Sequence, residues 1–437
     1  MSASASVDQA TLGASLDRLQ RDAFAYFQHE VNEANGLILD KTDGNNWPAS
    51  VSATGMALAA YPVAVERGFM TRQAARQRVL TTLRGLWNSP QGPQPEASGY
   101  RGFFYHMLDL QTGRRAWKCE LSTVDSAFLF AGALSAAQYF NDENPDEHAI
   151  RSLARQLYER ADWQWAQNHG ATLTHGWKPE SGFLSQRWEG YDEALVMYML
   201  GLGSPTHPLP AESYAAFVST YVWKKLYGYE YLYSGPLFTH QYSQIWIDMR
   251  GLRDEPMRAH DLDYFENSRR ATYVQQQYAI ANPKQFEGYG EHSWGITASD
   301  GPGPQTRRLA GVQRSFFGYA ARGAPFGPDD GTLSPWAAVT SLPFAPELVV
   351  PTMQHFDHLR LGEGRYGYEA SFNPTFPSEA EAAGERGWMS PYHFGINQGP
   401  VVLMVENYRS GLIWGLTRGI RPIVVGLRRA GFKGGWL

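Results

Sequence analysis

The chain has 437 residues, 43% hydrophobic and 19% charged, with a formal net charge of −5. That balance belongs to a globular chain and not a disordered one, and the lack of any basic block excludes a nucleic-acid backbone as partner. The unusual quantity is the aromatic content, 14% with 14 Trp and 24 Tyr, which suits a ligand with stackable faces and a hydroxyl rim, as a sugar has.

The start, MSASASVDQATLGASLDRLQRD, has neither a charged n-region nor an apolar h-region. Residues 1–14 are read as a tail, and the sequence fits a cytoplasmic protein or an exported one whose leader is removed. No stretch reaches the roughly 20 apolar residues of a membrane span. Helical spacing begins in SLDRLQRDAFAYFQHEV (15–31) through Leu16, Leu19, Phe24 and Phe27. Residues 53–68 and 71–87 predict a helical hairpin. STVDSAFLFAGALSAAQYF (122–140) is apolar nearly all round, which predicts a helix buried on both sides, and 146–168 is amphipathic and belongs outside it. YDEALVMYMLGLG (191–203) is again apolar all round. Further helical stretches are 263–282, 335–359 (broken by prolines) and 398–416. Cys119 is the only cysteine, so no intrachain disulfide and no cysteine metal site are expected.

Long connectors rich in Gly, Trp and Tyr separate these helices, at 88–121, 169–190, 226–245, 286–334 and 362–397. Loops beyond about 12–15 residues are uncommon unless functional. Buried and amphipathic helices in alternation, with functional loops at one end, predict an all-α fold, an (α/α)6 toroid formed by residues 15–437 as one domain.

Glu120 precedes one apolar helix, which Ser122 can cap with Asp125 three residues on. Asp192 and Glu193 open the second. Ser122-x-x-Asp125 also fits a capping box and Asp192 an N-cap, roles that need no ligand. A carboxyl at the mouth of a buried helix is partly desolvated, which raises its pKa as a general acid requires. Paired carboxylates of this kind suit glycoside hydrolysis. No GxxxxGK[ST], GxSxG or HExxH is present, so no cofactor or essential metal is expected.

HQYSQIWIDMRGLRD (240–254), DYFENSRRAT (263–272), GYGEHSWGITASDGPG (288–303), DGTLSPWAAVTSLPFAPE (330–347) and NQGPVVLMVENYRSGLIW (397–414) occur in this order. With ELSTVDSAFLFAG and GYDEALVMYMLGLGSPTHP upstream, the chain resembles the glucoamylase-like domain family that contains glycoside hydrolase family 144, over roughly residues 15–420. Two places depart from the family pattern: Asn397 stands for a common Asp, and YGFxDAFN reads YGYEASFN, with Glu369 and Ser371. The resemblance implies the toroid fold and anomer-inverting hydrolysis of β-1,2-glucan, with Glu193 as general acid, Glu120 as base-side carboxylate and Asp125 as the alternative base. It also implies an exported protein, since such glucans are periplasmic or extracellular.

Alternatives are an exo-acting sophorose-releasing enzyme, a phosphorylase or transglycosylase on the same linkage, and a non-catalytic glycan-binding protein. In a glucan cleft Trp177, Trp188, Trp246 and Trp294 should converge around Glu120 and Glu193. Asp248, Asp300, Asn267 and Glu291 are then hydroxyl acceptors and Arg250 a donor, with Tyr191, Asp192 and His240 completing the binding set. The 287–304 loop is expected at the toroid mouth, with Trp294 as a stacking face.

Overall fold

In the computed structural model, which describes residues 9–44, 47–377 and 384–437, two kinds of helix alternate, and their sequence patterns explain the layer each joins. α1 (Gln9–His29) has one apolar stripe and packs outside, whereas α2 (Val51–Glu66) is buried continuously from Val51 to Ala64. α3 (Arg72–Asn88) is again one-sided. α4 (Thr123–Tyr139) is buried from Thr123 to Ala137, and the amphipathic α5 (Pro145–Glu159) lies against it. After the single turn α6 (Trp163–Ala166) come the buried α7 (Leu195–Leu202) and the outer α8 (Ala211–Val218). The short inner α9 (Tyr242–Trp246), the turn α10 (Glu255–Ala259) and the outer α11 (Tyr264–Ala281) follow. α12 (Pro335–Thr340) is inner, α13 (Pro346–His358) outer and α14 (Gly395–Arg409) inner. Next, α15 (Leu412–Arg418) packs on α4 and α9, and α16 (Arg421–Arg429) on α7. The architecture is the (α/α)6 toroid.

The tightest inner crossing is that of α2 on α4. A Cβ on Gly132 would lie 1.9 Å from the Gly55 carbonyl oxygen, and one on Gly55 2.5 Å from that of Phe128. Only glycine lets the two backbones meet this closely, and the contact sets Ser52 of α2 beside Asp125 of α4.

Several boundaries differ from the sequence expectation. α1 starts at Gln9, so residues 9–14 are helix and not tail, while residues 1–8 lie outside the described residues, as do 378–383 of the last expected connector. The 146–168 stretch breaks after Glu159, where Asp162 caps a new turn by accepting from Trp165 N. The 398–416 stretch breaks at Gly411, whose φ is +70°. The connectors are also not plain loops. Among the described residues, Gly99–Tyr100, Phe103–Tyr105, Leu121–Ser122, Gly176–Lys178 and Gly182–Phe183 form a five-stranded antiparallel sheet over the inner helices' N-terminal ends. Strands this short carry no readable alternation. No helix among the described residues is long and apolar enough to cross a membrane.

Candidate active site

The sheet places the first acid. Leu121 pairs with Tyr105 on one side and Trp177 on the other, so the residues flanking those pairs, Glu120 and His106, stand side by side. His106 N donates to the Glu120 carbonyl at 2.9 Å, and the His106 Nδ1 lies 2.9 Å from Glu120 Oε1. Ser122 then starts α4, accepting from Asp125 N while its own hydroxyl donates to Asp125 Oδ2 at 2.5 Å. Ser52 donates to Asp125 Oδ1 at 2.8 Å, and Asp125 Oδ2 lies 3.9 Å from His106 Nε2.

Glu193 arrives from another direction. The Ser243 hydroxyl of α9 donates to the Glu193 carbonyl at 2.8 Å and accepts from Val196 N at 3.0 Å, fastening the entry to α7. Asp192 and Glu193 do not open that helix as expected. Its N-cap is Ala194, without a side-chain cap, and Asp192 Oδ1 accepts from Ala194 N at 2.9 Å in the turn before it.

The N-terminal ends of α4, α7, α9, α12 and α14 thus converge on a cavity of about 290 Å³, near the lower end of the roughly 300–1,000 Å³ usual for small-molecule sites. Among the described residues its carboxyls are Glu120, Asp125 and Glu193. Trp188, His175, Tyr242 and Trp336 form walls, Asn397 adds a neutral amide, and Tyr319 stands at the mouth.

The cavity's acids are driven apart. Burial raises the Glu193 carboxyl to about 7, and the Asp125 charge pushes the same way. Asp192 rises as well, through burial and the neighbouring Glu193. For His106, burial works against charge, but Asp125, Glu120 and Asp40 outweigh it and lift the imidazole to about 9. For Glu120, burial is likewise overcome, here by the His106 hydrogen bond and charge, and its pKa falls. At neutral pH the cavity therefore holds an ionised Glu120 beside an imidazolium, facing a Glu193 that keeps much of its proton.

The expected binding residues divide. Trp188 lines the cavity, its Nε1 donating to Thr123 Oγ1 at 3.0 Å and its ring stacked on His175 with centroids 3.9 Å apart. From the 287–304 loop, Ala298 reaches the cavity, and the Asp300 charge acts on Tyr319 at the mouth while Asp300 Oδ2 accepts from Ser390 at 3.1 Å.

The others do not converge on it. Trp246 and Trp294 are fully buried: Trp246 stacks on Phe128, and Trp294 donates to Thr352 Oγ1 at 2.9 Å. Trp294 is a core residue, because Gly295 at φ +122° turns the loop inward, with Ser334 N bonded to its carbonyl. Trp177 packs on Tyr100 and Trp165 on the sheet's other side. Tyr191 and His240 sit with Tyr264 and Tyr231 in an aromatic cluster, and burial depresses the His240 pKa to about 4. The Asp192 charge acts on that cluster through Tyr191 and Tyr221. Asn267 clamps both backbone groups of Leu232. Asp248 is held by Arg250 and Arg418 beyond the C-terminal end of α9, and Arg250 lies over Trp414. Glu291 is exposed in a separate groove with Tyr289 and His355.

Sequence reasoning missed His106, His175, Tyr242, Tyr319 and Trp336, which line the cavity, and Asp40, whose charge acts on His106. The weak signal for His106 was its place in FFYHML, a short aromatic run able to pair with the segment that holds Glu120.

Known proteins resemble this chain in sequence and fold. The Glycoamylase family, described as "Putative glucoamylase", matches residues 185–421. A relative from Parabacteroides distasonis, an exo beta-1,2-glucooligosaccharide sophorohydrolase (non-reducing end), is 28% identical over 92% of this chain. The chain spans 55% of that relative's length. Among solved structures, a "putative glucoamylase" from Bacteroides uniformis is 31% identical with a TM-score of 0.84, over 97% of this chain and 98% of that one. An endo-beta-1,2-glucanase from Chitinophaga pinensis, bound to sophorotriose and glucose, is 28% identical with a TM-score of 0.83, over 97% and 99%. The chain belongs to the Glycoamylase family.

Proposed function

We propose that the chain is a glycoside hydrolase that cleaves β-1,2-glucan internally, releasing sophorose or short sophorooligosaccharides with inversion at the anomeric carbon. The observation that carries this is the opposite displacement of two carboxyls in one cavity, Glu193 upward and Glu120 downward. Titratable pairs driven apart in this way mark an acid and a base. The names of the Parabacteroides and Chitinophaga relatives supply the linkage.

In this mechanism Glu193 gives its proton to the interglycosidic oxygen as the bond to the anomeric carbon breaks. Glu120 takes a proton from the water that attacks that carbon from the opposite face. Asp125 is the weaker candidate for base, since both its oxygens already accept serine hydroxyls. It holds the cluster around His106 instead. Trp188 offers an apolar wall to a ring's C–H face.

Linear β-1,2-glucan incubated with the protein should yield new reducing ends, with the α-anomer appearing first by NMR. A β-anomer first would mean retention, a requirement for added phosphate would mean a phosphorylase, and binding without product would mean a glycan-binding protein. The Parabacteroides relative favours a second reading, exo action from the non-reducing end. Sophorose as sole early product, with slow loss of long chains, would support that reading over the first.

A further inference from the structure

Outside the cavity, the connector that leads to Glu120 carries an aromatic side chain that the proposed chemistry leaves unused. Trp117 is 58% exposed and lies three residues before Glu120. Trp117 and Lys118 have φ of 53° and 52°, a left-handed conformation that non-glycine residues rarely adopt and that recurs at ligand clamps. Two such residues in succession turn the indole out of the connector. The turn is tied to the residue after His106: Ala116 N donates to the Met107 carbonyl at 3.0 Å, and Cys119 Sγ donates to it at 3.3 Å.

The exposed indole is braced from behind. It meets Trp47 edge to face, with centroids 4.7 Å apart and planes at 82°. Trp47 donates Nε1–H to Asp40 Oδ2 at 3.0 Å, and the Lys41 ammonium sits 4.0 Å from the Trp47 ring centroid and 4.2 Å from that of Tyr392. Asp40 is buried, and its charge acts on His106 inside the cavity. Lys41 pairs with the backbone of Phe394, whose ring lies 6.3 Å from that of Tyr319. The bracing is therefore continuous with the cavity wall, and the free surface it presents is the indole of Trp117.

We propose that Trp117 is a stacking platform for a glucose ring of the β-glucan chain outside the cavity, a binding subsite on the Glu120 side. The proposal rests on the glucan reading above. A pyranose presents a C–H face that matches an indole, and an indole already fixed by Trp47 loses little freedom on binding. A braced, solvent-facing tryptophan outside the sugar-sized cavity, on the connector to Glu120, is what a long chain, and not a short one, would use.

Steady-state kinetics on size-fractionated linear β-1,2-glucans test this. Trp117→Ala should raise KM for long chains about tenfold, equivalent to ~1.4 kcal/mol, and flatten the dependence of KM on chain length. Trp117→Tyr should recover much of the difference. In protein inactivated by Glu193→Gln, long glucan should shift the tryptophan emission beyond the shift that a short oligosaccharide gives at the cavity tryptophans, and adding Trp117→Ala should remove that excess. An equal KM change at every chain length, no change at any length, or sedimentation showing a dimer that Trp117→Ala dissolves would each overturn the subsite. If the wild-type protein releases no reducing ends, the hydrolase reading fails, and the emission titration alone decides: a Trp117-dependent shift supports the subsite and its absence refutes it.

Discussion

His106 lies between Glu120 and Asp125, its Nδ1 2.9 Å from Glu120 Oε1 and its Nε2 3.9 Å from Asp125 Oδ2. One imidazolium thus serves two carboxylates, with the buried Asp40 as a third negative neighbour. The cluster holds the Glu120 pKa down in a place where burial alone would raise it.

Replacing His106 by Gln removes that positive charge and leaves three acids facing one another. The Glu120 pKa should then rise, so the acidic limb of the kcat/KM profile should move to higher pH, with activity at neutral pH reduced about 10- to 100-fold. A loss of activity with the acidic limb unmoved would mean that His106 only shapes the cavity.

In the proposed mechanism Glu193 sets the other limb. A general acid works while protonated, so with its carboxyl near 7 activity should fall as pH rises through about 7. It should not hold until His106 deprotonates near 9. Glu193→Gln keeps the shape but cannot give a proton, and should lower kcat by about 10²–10⁴-fold with an unchanged circular-dichroism spectrum. A variant retaining most of its turnover would remove Glu193 from the mechanism.

The same shift has a consequence for stability. The folded Glu193 holds its proton up to about 7, while the unfolded chain releases it near 4.5, so the folded state binds more protons between those values. Stability therefore declines as pH rises through that window, by roughly 3 kcal/mol for this group at 1.36 kcal/mol per pKa unit. Glu193→Gln lacks the ionisation, so its Tm should gain on the wild type from pH 5 to pH 8. Parallel Tm curves would show that the carboxyl is not strained by burial.

Much of this architecture is legible in the sequence, because a helix buried on both sides must be apolar all round. That pattern marks Thr123–Tyr139 and Leu195–Leu202, and directs attention to Glu120 and Glu193 just ahead of them. The sheet over the cavity is not legible, since its strands of two or three residues are too short for alternation to register. His106 was hidden for the same reason, as only strand pairing brings it to Glu120. The tryptophans fail differently. An indole serves equally as a core filler with one hydrogen bond or as a stacking face, and nothing local tells Trp294 from Trp188.

Trp294 should accordingly behave as a core residue. It is fully buried and bonded to Thr352 of α13, so Trp294→Ala should cost about 3–5 kcal/mol, read by urea denaturation. A variant of normal stability with a raised KM would return Trp294 to the substrate.

The mouth of the cavity depends on a fully buried ion pair. Arg322 and Asp330 have side chains without solvent exposure. Arg322 donates Nε to Asp330 Oδ1 at 2.7 Å, Nη2 to Oδ2 at 2.8 Å and Nη1 to the Ser299 carbonyl at 2.6 Å. Phe317 N donates to the same carboxylate at 2.8 Å, so both ends of the 317–322 turn that carries Tyr319 are pinned to one anion. Removing one partner of such a pair strands a charge in the interior, at about 3–5 kcal/mol, whereas replacing both by apolar groups of similar volume is far milder. Arg322→Ala should therefore lower the urea midpoint strongly and raise KM, because Tyr319 loses its fixed place at the mouth. Arg322→Met with Asp330→Leu should recover most of the stability but not the KM, since the apolar pair leaves the backbone groups of Phe317 and Ser299 unheld. If the double variant recovers both, the ion pair contributes stability alone. If Arg322→Ala melts like the wild type, the pair does not anchor the turn.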